Sequence, residues 1–148
     1  MRFSDLGLQT QLLATLDELG YQTPTPIQQA AIPEVLAGRD VLAGAQTGTG
    51  KTAAFALPLI QRYLTDQSPH NAIRVLVLTP TRELAQQVHQ SFVAYSQDTG
   101  LRCVVAYGGA SINPQIEALK QGCEVMVATP GRLLELVIKE LIDLSTLQ

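Results

Sequence analysis

The chain alternates short apolar runs with longer segments in which apolar residues recur every three or four positions. Four runs, rich in Val and Leu, have the length of β-strands and lie at 40–44, 74–78, 102–106 and 124–128. Each is followed by a segment with helical periodicity. Strands that alternate with helices form parallel sheets, and apolar side chains on both faces of a strand indicate burial on both faces. The pattern therefore predicts an α/β fold, a parallel sheet with helices on both faces.

A helical region is predicted to precede this β-α core. The apolar residues of its first helix are Leu8, Leu12, Leu16 and Leu19. A second helix should follow Thr25, as its N-cap, with Pro26 in the first turn. Pro33 should break or restart this helix, because proline lacks the backbone N–H. We therefore divide the single domain into a helical region at 1–38 and a core at 39–148.

The helix after the second strand is expected to carry Leu84, Val88 and Phe92 on one face. The helix after the fourth strand is expected to run through Leu133, Leu134, Val137 and Ile138.

The composition is that of one globular domain, with 148 residues, 46% hydrophobic residues and 16% charged residues. A net charge of −3 gives no sign of nucleic-acid binding, so any such site must be local. Cys103 and Cys123 lack metal-site spacing and are expected to be buried free thiols, which fits a reducing cytoplasm. No apolar run approaches a membrane span, and no signal peptide follows Met1.

A glycine-rich segment follows the first predicted strand and leads into a helix to about Leu64. It consists of Ala45, Gln46, Thr47, Gly48, Thr49, Gly50, Lys51 and Thr52. Strand, glycine-rich loop and helix is the context of a phosphate-binding loop, where backbone N–H groups and the helix dipole face the anion. Lys51 would contribute charge to the β- and γ-phosphates, and the Thr52 hydroxyl would bind Mg²⁺.

Three further bends follow the carboxyl ends of the other predicted strands, at 80–85, 108–109 and 129–132. The carboxyl ends of parallel strands lie along one edge of a sheet, and ligands bind at that edge. We therefore expect the phosphate loop and the three bends to open on the same side. Four unusual loops on one edge indicate more than a nucleotide pocket.

These segments resemble the motifs of the amino-terminal RecA-like domain of DEAD-box ATP-dependent RNA helicases. In order they are similar to the Q motif (residues 20–28, with Phe3 upstream), motif I (45–52, including its initial Ala45), motif Ia (80–85), the GG motif (108–109) and motif Ib (129–132). The five motifs occur in order and span essentially the whole chain. The style of the loops resembles bacterial members, of the RhlE type.

The resemblance implies that the Q motif recognises adenine. Gln28 would contact the base through its amide, which both donates and accepts, and Phe3 would stack on it. Tyr21 belongs to the same motif, and the bound cofactors would be ATP or ADP with Mg²⁺. From the residues alone, an exposed helix position for Gln28 and a core position for Phe3 are the simpler interpretations.

The resemblance also implies contact with the sugar-phosphate backbone of RNA, without sequence selectivity. The residues concerned are Pro80, Thr81, Arg82, Gly108, Gly109, Thr129 and Arg132. N–H groups and hydroxyls at helix starts suit phosphodiester oxygens, and Arg132 would add charge. A compatible alternative is that the threonines at 79, 81 and 129 cap helices and that the two glycines form a tight turn.

The acids that ATP hydrolysis requires are not found where this architecture would place them. None of the thirteen Asp and Glu residues directly follows an apolar strand, and the nearest, Glu83, fits the motif Ia pattern. The resemblance implies an Asp-Glu-Ala-Asp motif soon after Gln148, then a Ser-Ala-Thr motif and a second RecA-like domain. We therefore expect a truncated domain that lacks its last strand, self-associates through an exposed sheet edge, and binds nucleotide with negligible hydrolysis.

The leading hypothesis is the ATP-binding portion of a helicase that couples ATP hydrolysis to local opening of RNA duplexes. Lys51 and Thr52 would be its catalytic residues within this chain. A non-catalytic P-loop module that binds nucleotide or RNA is the alternative that the missing acids fit. A small-molecule kinase would need a lid and an acceptor site, and no segment resembles either.

Overall fold

The computed structural model describes residues 2–39, 51–65, 73–97, 99–139, 141–142, 144–145 and 147. In chain order these residues form a 3₁₀ helix (Phe3–Leu6), α1 (Thr10–Glu18), α2 (Pro26–Leu36), α3 (Lys51–Thr65), β1 (Val75–Leu78), α4 (Arg82–Tyr95), β2 (Cys103–Ala106), α5 (Ile112–Lys120), β3 (Val125–Ala128) and α6 (Pro130–Ile138). The predicted strand at 40–44 and residues 45–50 of the phosphate loop lie outside the described residues.

The chain divides into two compact units. The first comprises Met1–Gln67 and Ala94–Thr99, and the second comprises Ser68–Val93 and Gly100–Gln148. The division into a helical region and a core, made from the motifs at residue 38, stays a prediction.

The first unit is helical in its described part. Helices α2 and α3 pack against each other, and the 3₁₀ helix contacts α2. The side chains that are almost fully buried include Leu12, Leu16, Ile32, Leu57 and Ile60. Burial of such aliphatic side chains contributes roughly 1.5–3 kcal/mol each. The spacing of the leucines in α1 thus predicted the buried side of that helix correctly at Leu12 and Leu16.

Helix α2 begins as the sequence predicts. Thr25 is its N-cap and Pro26 its first residue. The Thr25 hydroxyl accepts a hydrogen bond from the Gln28 backbone N–H at 3.4 Å, and the Gln28 Oε1 accepts one from the Thr25 N–H at 2.9 Å. This reciprocal pair is a capping box, which satisfies two N–H groups that the first turn leaves without helical partners.

The predicted break at Pro33 is wrong, because α2 continues through it to Leu36. Pro33 lies on the exposed side of the helix. Water can therefore donate to the carbonyl that the missing N–H leaves without a helical partner, and burial of the rest of the helix offsets the cost of the proline.

The second unit contains a three-stranded parallel sheet in the order β1-β3-β2. Val125 of β3 pairs with Val75 on one side and with Cys103 on the other, and this register continues to Ala128. The central strand β3 is buried at all four residues. The predicted parallel α/β architecture and the positions of its last three strands are confirmed.

The face predicted for α4 requires correction, and the buried side of α6 is a finding of the structure. In α4 the buried face contains Ala85, Val88 and Phe92, whereas Leu84 is 43% exposed. In α6 the buried residues are Arg132 and Leu136, with Leu133 half-buried, and the exposed apolar residues are Leu134, Val137 and Ile138. Helix α6 is apolar on most of its circumference, so periodicity alone does not show which side faces the core.

The amino-terminal edge of the sheet contains a buried acid. Glu124 is almost fully buried, and its carboxylate accepts hydrogen bonds from the Arg102 backbone N–H at 2.8 Å and from the Arg102 Nη2 at 2.6 Å. Arg102 also donates from Nη1 to the Gln121 carbonyl at 3.0 Å. A buried carboxylate is tolerated because charged donors satisfy it.

Glu124→Gln should therefore destabilise the protein, since it removes the ion pair with Arg102 and replaces one of the two acceptor oxygens by an NH₂ donor. We expect a loss of about 1–2 kcal/mol in the free energy of unfolding, at the lower end because the Arg102 side chain is 40% exposed. Urea unfolding measures the change, and Glu117→Gln, the same substitution at an exposed site of α5, is the control. Equal unfolding midpoints for the two variants would contradict a stabilising role of the Glu124–Arg102 pair.

Candidate functional site

Three bends lie together at the carboxyl edge of the sheet. Leu78 of β1 and Ala106 of β2 are both in register with Ala128 of β3. The ladder extends one residue further, since the N–H groups of Thr79 and Thr129 donate to the carbonyls of Ala128 and Ala106. The next residues of each strand therefore leave the sheet at the same level. The predicted common edge is confirmed for these bends, while residues 45–50 lie outside the described part.

The bend after β1 leads into α4 through a helix cap. The Thr81 hydroxyl accepts a hydrogen bond from the Leu84 N–H at 3.2 Å, and the Thr79 hydroxyl donates to the Thr81 carbonyl at 3.3 Å. Capping therefore explains the conformation of Thr81. Pro80, Thr81 and Arg82 are exposed, so their outer surfaces are accessible to a ligand.

Arg82 connects the first bend with the second. Its guanidinium carbon lies 4.8 Å from the centroid of the Tyr107 ring, and its Nη1 donates to the Gly109 carbonyl at 3.5 Å. The Tyr107 hydroxyl accepts a further hydrogen bond from the Gln86 Nε2 at 3.2 Å. A cation over an aromatic face is attracted to the ring quadrupole, which orients the exposed arginine.

The second bend contains the two glycines and contacts the third bend. Gly109 has φ of +80°, a left-handed conformation that other residues rarely adopt. The Gly108 N–H donates to the Thr129 hydroxyl at 3.2 Å. Thr129 occupies the N-cap position of α6 but makes no side-chain cap. The capping alternative therefore applies to Thr81 and not to Thr129, whose hydroxyl connects two bends.

Arg132 points inward from the first turn of α6. It is 8% exposed, and its Nη1 and Nη2 donate to the Gln115 Oε1 at 2.7 Å and to the Ala110 carbonyl at 3.0 Å. Its Nε lies 3.2 Å from a carboxylate oxygen of Glu135, without hydrogen-bond geometry. The sequence predicted that Arg132 adds charge for RNA binding, but it did not predict that this side chain is buried.

Sequence reasoning missed Gln115, the buried partner of Arg132. Gln115 lies in α5 between Ile112, Ile116 and Leu119, which pack against the core of the unit. A polar residue on the apolar face of a helix is the signal that could have identified it, because a buried amide requires partners. No motif includes this position.

The residues predicted to bind adenine lie in the first unit. Phe3 is buried in the 3₁₀ helix, and Gln28 is buried in the first turn of α2. The core position considered for Phe3 is observed, whereas the exposed position considered for Gln28 is not. Tyr21 is exposed, with its hydroxyl 3.1 Å from that of Tyr95 and the ring centroids 5.9 Å apart.

Lys51 and Thr52 form the beginning of α3, a helix of 15 residues. Lys51 is exposed and Thr52 half-buried. A cationic side chain and a hydroxyl at the start of a long helix form a donor set that fits a nucleotide polyphosphate and its magnesium ion. The remaining phosphate-loop residues, 45–50, are not described.

Comparison with known protein families shows the family of this chain. The DEAD/DEAH box helicase family matches residues 25–148. The chain belongs to this family. Its domain is RecA-like, and the three-stranded parallel sheet with its helices agrees with that architecture.

Several curated relatives of this helicase domain are bacterial. The chain is 47% identical over 146 residues to RNA helicase CrhR of Synechocystis sp., covering 99% of this chain and 29% of the relative. It is 48% identical over 146 residues to ATP-dependent RNA helicase DeaD of Escherichia coli, covering 98% and 23%. It is 50% identical over 133 residues to DEAD-box ATP-dependent RNA helicase RhpA of Helicobacter pylori, covering 90% and 26%. The chain thus spans about a quarter of the length of these relatives.

Other site types receive no support from the described part of the helicase domain. Within those residues, His, Cys, Asp and Glu side chains form no group of three that could bind a metal ion. None of the described helices combines the length and apolar character needed to cross a membrane.

The two cysteines are free thiols whose environment disfavours the thiolate. Burial raises the pKa of Cys103 to about 12 and that of Cys123 to about 11. The thiolate is the reactive form of cysteine, so neither residue has the properties of a nucleophile.

Alkylation of the folded protein by iodoacetamide at pH 8 should therefore be on the order of 100-fold slower than alkylation of an ordinary thiol. The same chain in concentrated urea, where both thiols regain an ordinary pKa, is the control. Mass spectrometry of quenched samples measures both rates. Equal rates in the folded and unfolded chain would contradict the raised pKa values of these thiols.

Proposed function

We propose that this chain is the nucleotide-binding and RNA-binding part of an ATP-dependent RNA helicase. The observation that carries the proposal is the alignment of three motif-bearing bends at one sheet edge, joined by direct side-chain contacts, in a chain of the DEAD/DEAH box helicase family. In the whole protein, ATP hydrolysis would be coupled to local opening of RNA duplexes. A second RecA-like domain of the same parent chain would complete the site, with ATP and RNA bound between the two domains.

Nucleotide binding is proposed for the first unit. Lys51 and Thr52 would bind the phosphates and Mg²⁺, supported by the position of both residues at the start of α3. The backbone of residues 45–50 would complete the phosphate site. Gln28 would recognise adenine, with Phe3 and Tyr21 beside it. The contact of α2 with α3 supports this grouping, since it connects the helix of Gln28 to that of Lys51.

RNA binding is proposed for the carboxyl edge of the sheet in the second unit. Pro80, Thr81, Arg82, Gly108 and Gly109 are exposed there and would contact sugar and phosphate groups. Thr129 can donate its hydroxyl proton to a phosphate while it accepts from Gly108. Arg132 would contribute electrostatically from beneath this surface, reduced by its ion pair with Glu135. Contacts of this kind do not discriminate between base sequences.

We propose a cytoplasmic location, where the half-buried thiol of Cys103 and the buried thiol of Cys123 are stable in the free form. An outer strand of the sheet, as distinct from the carboxyl edge, is also proposed as a surface for self-association of the 148-residue chain. The unpaired N–H and C=O groups of an outer strand attract other strands.

Lys51→Ala should abolish nucleotide binding, because it removes the cation at the start of α3. Wild-type protein at 100 times the dissociation constant of ADP should gain about 2.7 kcal/mol of stability, visible as a thermal shift. The variant should show no shift, while Lys120→Ala, which removes an exposed lysine of α5, should keep it. A full shift in Lys51→Ala would overturn the nucleotide site.

The wild type and the Lys51→Ala variant also test the expected absence of ATP hydrolysis. With saturating single-stranded RNA, phosphate release from ATP by the 148-residue chain should stay at the level of the buffer. Steady turnover that disappears in Lys51→Ala would contradict this expectation.

Gln28→Glu tests adenine recognition without removing the helix cap. A glutamate at this position keeps the capping box, since its carboxylate can accept from the Thr25 N–H. It cannot donate to the adenine N7 as an amide does, so the preference for ADP over GDP should fall about tenfold. Competition between the two nucleotides measures the ratio. An unchanged ratio with unchanged thermal stability would exclude Gln28 from base recognition.

A further inference from the structure

We propose that Gln115 is a positioning residue for the RNA-binding edge. It would fix the Tyr107–Ala110 segment, called here the glycine bend, relative to the first turn of α6. The inference rests on the proposed function, and it concerns a side chain outside every motif found in the sequence.

Gln115 contacts the first residue of the glycine bend through both ends of its amide. Its Nε2 donates to the Tyr107 carbonyl at 3.1 Å, and its Oε1 accepts from the Tyr107 N–H at 3.3 Å. The residue is 8% exposed. A buried amide that pairs with both backbone groups of one residue specifies the position of that residue, because either group left unpaired would be costly.

The same amide oxygen extends the contact to α6. It accepts from the Arg132 Nη1 at 2.7 Å, and the Arg132 Nη2 donates to the Ala110 carbonyl at 3.0 Å. Gln115 and Arg132 thus contact the glycine bend at its first and last residues. Gly108 and Gly109 are the exposed residues between Tyr107 and Ala110. Contacts on the buried side of the glycine bend therefore hold both glycines in position.

The two glycines also have outward partners that depend on this position. The Gly108 N–H donates to Thr129, and the Gly109 carbonyl accepts from Arg82. A shift of the glycine bend would therefore move the groups proposed to contact RNA on all three bends. Binding sites lose affinity when their groups move by more than roughly 0.5 Å from the productive geometry.

The role of Gln115 is separable from the packing of its helix. Ile112, Ile116 and Leu119 pack α5 against the core of the second unit. Replacement of Gln115 by leucine keeps an apolar side chain of similar size on that face, so α5 should remain in place. The substitution removes the hydrogen bonds of Gln115 with the Tyr107 backbone and with the Arg132 guanidinium.

Gln115→Leu is the principal variant, and Gln115→Glu tests partial rescue. The glutamate can still accept from Arg132 and from the Tyr107 N–H but cannot donate to the Tyr107 carbonyl. Gln121→Leu, the same change at the exposed end of α5, is the matched control. Three measurements apply to each protein: amide hydrogen exchange, affinity for a fluorescent single-stranded oligouridylate at fixed salt, and the thermal shift produced by ADP.

We expect Gln115→Leu to accelerate exchange at residues 107–110 and to weaken RNA binding about five- to tenfold, with an unchanged ADP shift. Gln115→Glu should fall between this variant and the wild type, and Gln121→Leu should match the wild type. Because the changes are confined to one bend and one ligand, a general loss of stability would not produce them.

Two outcomes overturn the inference. Unchanged exchange at residues 107–110 in Gln115→Leu, or unchanged RNA affinity in that variant while the wild type binds RNA, would exclude the positioning role and leave the proposed function intact. A wild-type protein that does not bind the oligouridylate would instead overturn the RNA-binding function, and the positioning role with it.

Discussion

The parallel register of three strands is the constraint on which the candidate RNA-binding edge depends. Leu78, Ala106 and Ala128 end their strands at one level because hydrogen bonds align β1 and β2 on either side of β3. Three bends that are far apart in sequence therefore begin side by side. Parallel strands require a crossover between them, and here α4 and α5 follow directly from the bends. The pairing that builds the core thus also brings the proposed ligand contacts together.

The two edges of this sheet contain buried charges with different consequences. At the amino-terminal edge, Glu124 is paired with Arg102 beside the strand starts, where stability is the only evident role. At the carboxyl edge, Arg132 is buried beneath the bends and contacts Gln115 and the Ala110 carbonyl. A buried cation is costly unless several acceptors surround it, so the acceptors around Arg132 restrict where the glycine bend can lie. Burial of the Arg132 guanidinium is thus unfavourable by itself, but it gives the glycine bend one defined position.

The errors of the sequence analysis come from places where tertiary packing overrides local preference. Pro33 is unfavourable within a helix, yet it lies on the exposed side of α2 and the helix continues. Leu84 belongs to the face predicted for α4 but is exposed, and in the described residues of α6 it is Arg132 and Leu136 that face inward. An arginine on the buried side could not be inferred from hydropathy, because its burial depends on acceptors supplied by α5 and the glycine bend.

The sequence by itself determined the strands of the second unit, the cap at Thr25, the helix that follows the phosphate-loop segment and the family to which the chain belongs. These features are written in local patterns: apolar runs, capping residues and motifs of fixed spacing. Only the tertiary structure decided that Thr129 accepts from Gly108 instead of capping its own helix, that Arg82 lies over Tyr107, and that Gln115 pairs with Arg132. The physical reason is that these contacts join residues 17 to 25 positions apart. Their partners are chosen by strand register and helix packing, which no local pattern encodes.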